Sequence, residues 1–264
     1  MKIGFIGCGN MATAMIKGIL DSKKVAADAI IASAKSDRTR EKIKNEIGIV
    51  VARHNNEVMD FADIIFLAVK PQYYEEIINE VKGNIRENQI IVTIAPGKTL
   101  AWLAERLGTG VKIIRTMPNT PAMVKEGMMG MCKNDAVTDQ EMQQVQEICE
   151  SFGKAEEVSE SLLDVVVGVA GSSPAYVFMF IEALADAAVA DGMPRAQAYK
   201  FAAQAVLGSA KMVLETGMHP GELKDMVCSP GGTTIEAVRI LEEKGMRSAV
   251  MEAAKGCVKK AREM

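Results

Sequence analysis

KIGFIGCGNMATAMIKG, residues 2–18, decides the fold class. KIGFIG reads as a β-strand that stops at Gly7, and the pattern then turns helical over 10–20. Between them Gly7, Cys8, Gly9, Asn10, Met11 and Ala12 form G-x-G-x-x-A, directly after the strand and directly opening the helix. A glycine turn alone says little. Between a strand and a helix it is the fingerprint of a dinucleotide-binding turn. Gly7 allows the tight bend, Gly9 lets the backbone approach a pyrophosphate, and Ala12 packs helix on strand.

The alternation continues to about residue 160. AIIAS, ADIIFLAV, QIIVTIA and VKIIRTM are further apolar runs, each bounded by turn residues or a helical stretch. They predict parallel β-α units in a doubly wound sheet. IIFLAV is apolar throughout, as a strand covered on both faces should be. From about residue 161 helical periods take over. The expected organisation is α/β: a Rossmann-type domain over 1–160, then an all-helical domain over 161–264. Ser173-Pro174 reads as a cap and first residue of a helix reaching about Ala190. Pro194 opens the next, to about Glu215; shorter helices follow around Leu223, 235–244 and 247–262. The helix from Pro174 is apolar nearly all round, interrupted mainly by Glu182 and Asp186. So few helical residues cannot easily cover it and its Ala-rich successor within one chain, which predicts a two-fold dimer of interleaved helices.

Composition narrows the function. The chain has 264 residues, 48% apolar and 25% charged, with net charge −3 and no basic tract, which gives no case for a nucleic-acid partner. No signal-peptide pattern is expected at the N-terminus, and no uninterrupted apolar run reaches the roughly 18 residues of a membrane span. The five cysteines are odd in number and include no Cys-x-x-Cys pair, which points to free thiols in the cytoplasm. With two histidines, His54 and His219, and no ligand cluster, no metal site is expected.

The strand tips speak to the cofactor. AIIAS ends in Ser33, followed by Ala34, Lys35, Ser36, Asp37 and Arg38. NAD enzymes usually place an acid at that tip for the ribose hydroxyls. Here the tip lacks one, and Lys35 and Arg38 suit a 2′-phosphate, which favours NADPH over NADH, with Asp37 close enough to leave both open. Ala68-Val69-Lys70-Pro71 and Thr93-Ile94-Ala95-Pro96-Gly97 end two other strands, and Met117-Pro118-Asn119-Thr120-Pro121 makes a stiff corner. Together they predict a crevice for a flat ligand along the carboxyl edge of the sheet.

CSPGGTTIEAVRI, residues 228–240, breaks one helix and opens another. Ser229, Pro230, Gly231 and Gly232 interrupt, and Thr233 and Thr234 begin the new apolar stripe. Ordinary capping explains these residues, and so does an anion site of bare N–H groups at a helix N-terminus.

FIGCGNMATAMIKG, FLAVKPQ, RTMPNTPAMVKEG, GSSPAYVFMFIEALADA and HPGELKDMVCSPGGTTIEAV span nearly the whole chain. In these blocks the sequence resembles the pyrroline-5-carboxylate reductase family. The resemblance implies NAD(P)H-dependent reduction of 1-pyrroline-5-carboxylate to L-proline, and a dimer through the C-terminal helices, often assembled into a ring of five dimers. It assigns Ile6, Gly7, Cys8, Gly9, Asn10 and Met11 to the pyrophosphate and Ser33 to the adenosine ribose. Asn55, Ala68, Val69, Lys70, Pro71 and Ala95 would line the rest of the groove. Ser229, Gly231, Gly232 and Thr233 would take the substrate carboxylate, Thr234 the imine nitrogen, and Glu160 a substrate-side position. Met226 stands where relatives commonly carry Asn, and GSSP replaces GSGP. Hydride would pass to the imine carbon with Thr234 orienting the nitrogen, the protein supplying position and electrostatics. A β-hydroxyacid dehydrogenase shares this plan, but Lys200, Lys211 and Lys224 lack that family's glycine-flanked setting for a catalytic lysine. A cofactor-binding scaffold without activity would not need Gly231, Gly232 and Thr234 together.

Overall fold

The computed structural model describes residues 1–263 and divides into two compact units. The first comprises Met1–Ser172 with Gly256–Met264, and the second Ser173–Lys255.

In the first unit the chain runs through β1 (Ile3–Ile6), α1 (Asn10–Ser22), β2 (Ile30–Ser33), α2 (Asp37–Lys42), β3 (Val50–Ala52) and α3 (Asn55–Phe61). β4 (Ile64–Leu67), α4 (Tyr74–Val81), β5 (Ile90–Thr93), α5 (Leu100–Leu107) and β6 (Lys112–Met117) follow. β7 (Gly127–Lys133), α6 (Asp139–Cys149), β8 (Gly153–Glu157) and α7 (Glu160–Val166) complete it. The eight strands lie in the order β3-β2-β1-β4-β5-β6-β7-β8. β1 is central, with Ile3 opposite Ile30 on one side and Ile64 on the other. The first six strands in that order are parallel, β7 runs antiparallel to β6, and β8 is parallel to β7.

The strands are buried on both faces because alternate residues enter two separate cores. Ile3, Phe5, Ile64, Phe66, Ile90 and Val92 face one core, with Met15, Ile16 and Ile19 of α1 and Met142, Val145 and Ile148 of α6. Ile6, Ile65, Leu67 and Ile91 face the other, with Val58 and Met59 of α3, Ile78 of α4 and Leu103 of α5. Each such buried side chain stabilises the fold by about 1.5–3 kcal/mol, which explains the unbroken apolar runs.

The sequence reading missed three strands, each for a physical reason. β3 is three residues long and exposes Val50. β7, GMMGMCK, carries glycines and methionines in place of β-branched residues. β8, GKAEE, buries only Ala155. Pairing, not propensity, makes them strands.

The second unit holds α8 (Ser173–Ala190), α9 (Arg195–Thr216), α10 (Pro220–Val227), α11 (Thr233–Glu243) and most of α12 (Met246–Arg262). α8 begins at Ser173 and ends at Ala190 as expected, but it follows α7 and a π-helical turn at Val167–Gly171 directly, so that Glu160–Ala190 forms one helical run of 31 residues. Pro174 has no N–H for the carbonyl four residues earlier, that of Ala170. The side chain of Asn119 supplies the missing donor, Nδ2 lying 3.0 Å from Ala170 O. The run has a mean hydropathy of 1.6 over its most apolar window, so by length and composition alone it is long and apolar enough to cross a membrane, although charged residues interrupt it. Asp164, Glu182 and Asp186 stand within it.

The second unit has a small core of its own: Ala185, Ala198 and Ala202, packed by Ile181, Ala188, Val189 and Met193. Its large apolar side chains point outward, with Met179 68%, Phe201 67% and Leu214 84% exposed. So many large apolar side chains left exposed on one unit mark an interaction face.

Candidate active site

The glycine turn is built where β1 ends. Gly7 has φ 91°, in the left-handed region, and its N–H donates to Ser33 O at 3.2 Å. A side chain there would be strained, and its Cβ would stand 2.7 Å from Val69 Cγ1 and 2.8 Å from Ala68 O. Gly7 is thus required by the approach of the β4 tip, whose Ala68 N–H donates to Ile6 O at 2.8 Å. Gly9 caps α1 without any side-chain cap, and a Cβ added to it would meet nothing within 4 Å. The first N–H groups of α1 therefore face open space carrying the positive end of a helix dipole, a cradle that fits a pyrophosphate. Cys8 lines this turn as a neutral thiol: burial pushes its pKa up, against a weak contact with Thr13 Oγ1 at 3.8 Å. Asn10 and Met11 begin α1, and Ala12 is buried beneath.

At the tip of β2 a chain of hydrogen bonds crosses three elements. Ser33 Oγ donates to Asn55 Oδ1 at 2.7 Å, and Asn55 Nδ2 donates to Glu80 Oε2 at 2.7 Å. Lys35, on the following loop, and Arg38, in the first turn of α2, are exposed, with Lys35 Nζ 5.9 Å from the centre of the Tyr73 ring. Arg40 holds that loop from within. It donates to Ala34 O at 2.5 Å and pairs with Asp37 at 2.5 Å, and this hydrogen bond and charge keep the Asp37 carboxyl below its ordinary pKa. Asp37, the acid nearest the tip, is thus already matched by a cation. Glu80 and Arg40 escaped the sequence reading; for Arg40 the i, i+3 spacing from Asp37 was the available signal.

The tips of β4 and β5 are bolted together by Tyr74. Its hydroxyl is fully buried, donates to Leu67 O at 2.6 Å and accepts from Ile94 N–H at 3.3 Å. Burial raises its pKa and keeps it a neutral donor. One side chain therefore fixes the segments carrying Ala68, Val69, Lys70 and Pro71 on one side and buried Ala95 on the other. The corner after β6 is structural: Asn119 Oδ1 accepts from Met128 N–H at 2.9 Å while its Nδ2 serves Ala170.

Glu160, the first residue of α7, is partly committed. Its Oε1 accepts from Leu100 N–H at 2.6 Å and from Arg115 Nη1 at 3.0 Å. Arg115, only 4% exposed, also donates to Asp164 at 3.1 Å, clamping α7 to the sheet. A cavity of about 410 Å³ adjoins, lined by Cys132, Asn134, Glu157, Ser159 and Glu160. The Cys132 thiol is pushed up to about 12 by burial and by the Glu160 charge, so the cavity offers no thiolate. Among the described residues no cluster of His, Cys, Asp and Glu is arranged to hold a metal ion.

In the second unit the diglycine bend joins α10 to α11. Gly231 adopts φ 67°, and Gly232 N–H closes the turn on Ser229 O at 3.0 Å. Gly232 caps α11 without a side-chain acceptor, leaving the first N–H groups, at Thr233 and Thr234, free for an anion. A Cβ on Gly231 would meet nothing, whereas one on Gly232 would lie 2.4 Å from Ser229 Oγ. Met226 is exposed, and Lys224 is paired with Asp225.

A parallel sheet with a glycine turn at its centre, followed by a helical unit with an anion-ready helix start, defines the dinucleotide-dependent oxidoreductases with a helical second domain. Residues 2–97 match the family described as NADP oxidoreductase, coenzyme F420-dependent, and residues 160–264 match pyrroline-5-carboxylate reductase dimerisation. The chain is 54% identical over 263 residues to pyrroline-5-carboxylate reductase of Escherichia coli, covering 100% of this chain and 98% of the relative. It is 41% identical to that of Methanosarcina acetivorans, covering 100% and 97%. The solved structure of Plasmodium falciparum pyrroline carboxylate reductase with NADP bound superposes with a TM-score of 0.91 at 31% identity, covering 100% and 97%. The chain belongs to the pyrroline-5-carboxylate reductase family.

Proposed function

We propose that this protein reduces 1-pyrroline-5-carboxylate to L-proline with NADPH as preferred cofactor and NADH as the alternative. The observation that carries the reading is the 54% identity along the full chain to a reductase of that name. The open N-terminus of α1 and the bare diglycine bend support it, since the reaction needs a dinucleotide and a small anionic imine held in fixed positions.

Ile6, Gly7, Cys8, Gly9, Asn10 and Met11 hold the pyrophosphate through the first N–H groups of α1. Ser33, Lys35 and Asn55 meet the adenosine ribose, with Lys35 and Arg38 favouring a 2′-phosphate. Ala68 to Pro71 and Ala95 line the groove without bulk. When bound, the nicotinamide supplies the hydride for the imine carbon. Ser229, Gly231, Gly232 and Thr233 bind the substrate carboxylate, and Thr234 hydrogen-bonds the imine nitrogen, which arrives protonated. Glu160 faces the substrate with Oε2, since Oε1 is engaged by Leu100 and Arg115.

Residues 1–160 serve as the dinucleotide-binding domain and 161–264 as the substrate-binding and dimerisation domain. The exposed apolar faces of α8 and α9 form a homodimer, assembled further as a pentamer of dimers. The 31-residue apolar run belongs to that interface and to no membrane. The five free cysteines support a cytoplasmic location.

The test sets NADPH oxidation with 1-pyrroline-5-carboxylate beside 3-hydroxyisobutyrate oxidation and nucleotide binding alone. Turnover in the first assay only is expected. Binding without turnover, or turnover of the hydroxy acid, would overturn the assignment.

A further inference from the structure

No acid stands at the tip of β2, yet the Ser33–Asn55 pair ends on one. Glu80, in the last turn of α4, accepts from Asn55 Nδ2 at 2.7 Å. A carboxylate is an acceptor only, so it fixes which edge of the Asn55 carboxamide faces it. The amide oxygen must then point the other way, where it accepts the Ser33 hydroxyl proton at 2.7 Å. Ser33 has spent its only side-chain donor on Asn55 and offers an incoming group lone pairs. The corner thus presents acceptors, with one remaining Asn55 N–H, and carries the Glu80 charge two hydrogen bonds behind Ser33. Acceptors and negative charge suit a ribose hydroxyl, which can donate, and oppose a phosphate dianion, which cannot.

We propose that Glu80 is a specificity-determining residue: by pinning Asn55 and adding its charge, it favours a free 2′-hydroxyl over a 2′-phosphate at the adenosine ribose. It opposes the pull of Lys35 and Arg38 and does from α4 what an acid at the β2 tip does in other dinucleotide enzymes. With Glu80 in place, Asn55 cannot turn its N–H edge towards a phosphate without setting its oxygen against the carboxylate. Glu80 is exposed and bonded only at its tip, so its replacement leaves the fold intact. The proposal rests on the cofactor reading above.

The experiment measures binding of adenosine 5′-monophosphate, with and without an added 2′-phosphate, to the full chain by titration calorimetry. Glu80→Gln removes the charge, and Glu80→Ala also frees Asn55. One charge acting on a dianion about 8 Å away across water corresponds to roughly fivefold in affinity. Both variants should therefore raise the preference for the 2′-phosphorylated nucleotide by about that factor, with an unchanged melting temperature. A merely structural role would weaken both nucleotides alike and leave their ratio still, and that result, or a falling ratio, overturns the proposal. If the unchanged protein binds neither nucleotide, the cofactor reading falls, and this one with it.

Discussion

Tyr74→Phe removes one oxygen atom and keeps the ring. Tyr74 lies in the second core with no exposure, so phenylalanine fills the same space and leaves almost no cavity. What disappears is the donor to Leu67 O at 2.6 Å and the acceptor for Ile94 N–H at 3.3 Å. The first of these is short and well formed, the second long, and both backbone groups sit where water is scarce. Leaving a buried partner unsatisfied costs about 1–3 kcal/mol, and the weaker second bond adds little, so about 2 kcal/mol of stability should go. For a chain of this size that lowers the melting temperature by roughly 4–8 °C. The loss should also reach ligand binding, because the hydroxyl holds the tips of β4 and β5 in one arrangement. If about a third of it falls on the bound conformation, the NADPH dissociation constant rises roughly threefold. Calorimetry reads the first quantity. Quenching of Trp102, the single tryptophan, reads the second. Equal melting temperature and equal NADPH affinity in the variant would refute the idea that this hydroxyl bolts the two tips.

Thr234→Val should lower kcat at least tenfold, the worth of one hydrogen bond to a charged nitrogen, with NADPH affinity unchanged; normal turnover would remove Thr234 from the chemistry. Gly232→Val places a Cβ 2.4 Å from Ser229 Oγ and shields the first N–H groups of α11, so the KM for substrate should rise about tenfold. An unchanged KM would discredit the carboxylate site. Glu141 joins α6 to β6 through Lys112 at 2.6 Å; burial pushes its pKa up, but hydrogen bonds from Lys112 and Thr138 outweigh that and leave it lowered. A depressed folded-state pKa adds stability above the unfolded value that is lost as pH falls through the folded one. The urea midpoint should therefore drop more steeply on acidification in the native protein than in Glu141→Gln, and parallel curves would count against the pair. Phe201→Glu puts a charge into the exposed apolar face of α9 and should halve the particle mass in light scattering, whereas an unchanged mass would move the interface elsewhere.

Much of the glycine turn after β1 was legible because its causes are local. Gly7 announces itself by what a side chain would do there, Gly9 by its place at the start of a helix, and the residues of the turn are consecutive. The diglycine bend was readable for the same reason. Tyr74, Glu80, Arg40 and Arg115 were not read. The partners of Arg115, Glu160 and Asp164, lie 45 and 49 residues away in sequence, and the Asn55–Glu80 pair is 25 apart. No periodicity marks a tyrosine whose hydroxyl, and not its ring, does the positioning.

By itself the order of residues determined an α/β unit followed by helices, a central strand feeding a glycine turn, and an apolar helix needing a partner. These follow from side-chain period and backbone sterics, which act within a few residues. Tertiary packing alone decided that GMMGMCK and GKAEE become paired strands running against the rest of the sheet. It also decided that Asn119 replaces the N–H that Pro174 lacks, and that Ser33 gives its proton to an amide held by Glu80. Hydrogen-bond satisfaction in a closed interior is a property of which groups meet, and distant segments meet only once the chain has folded.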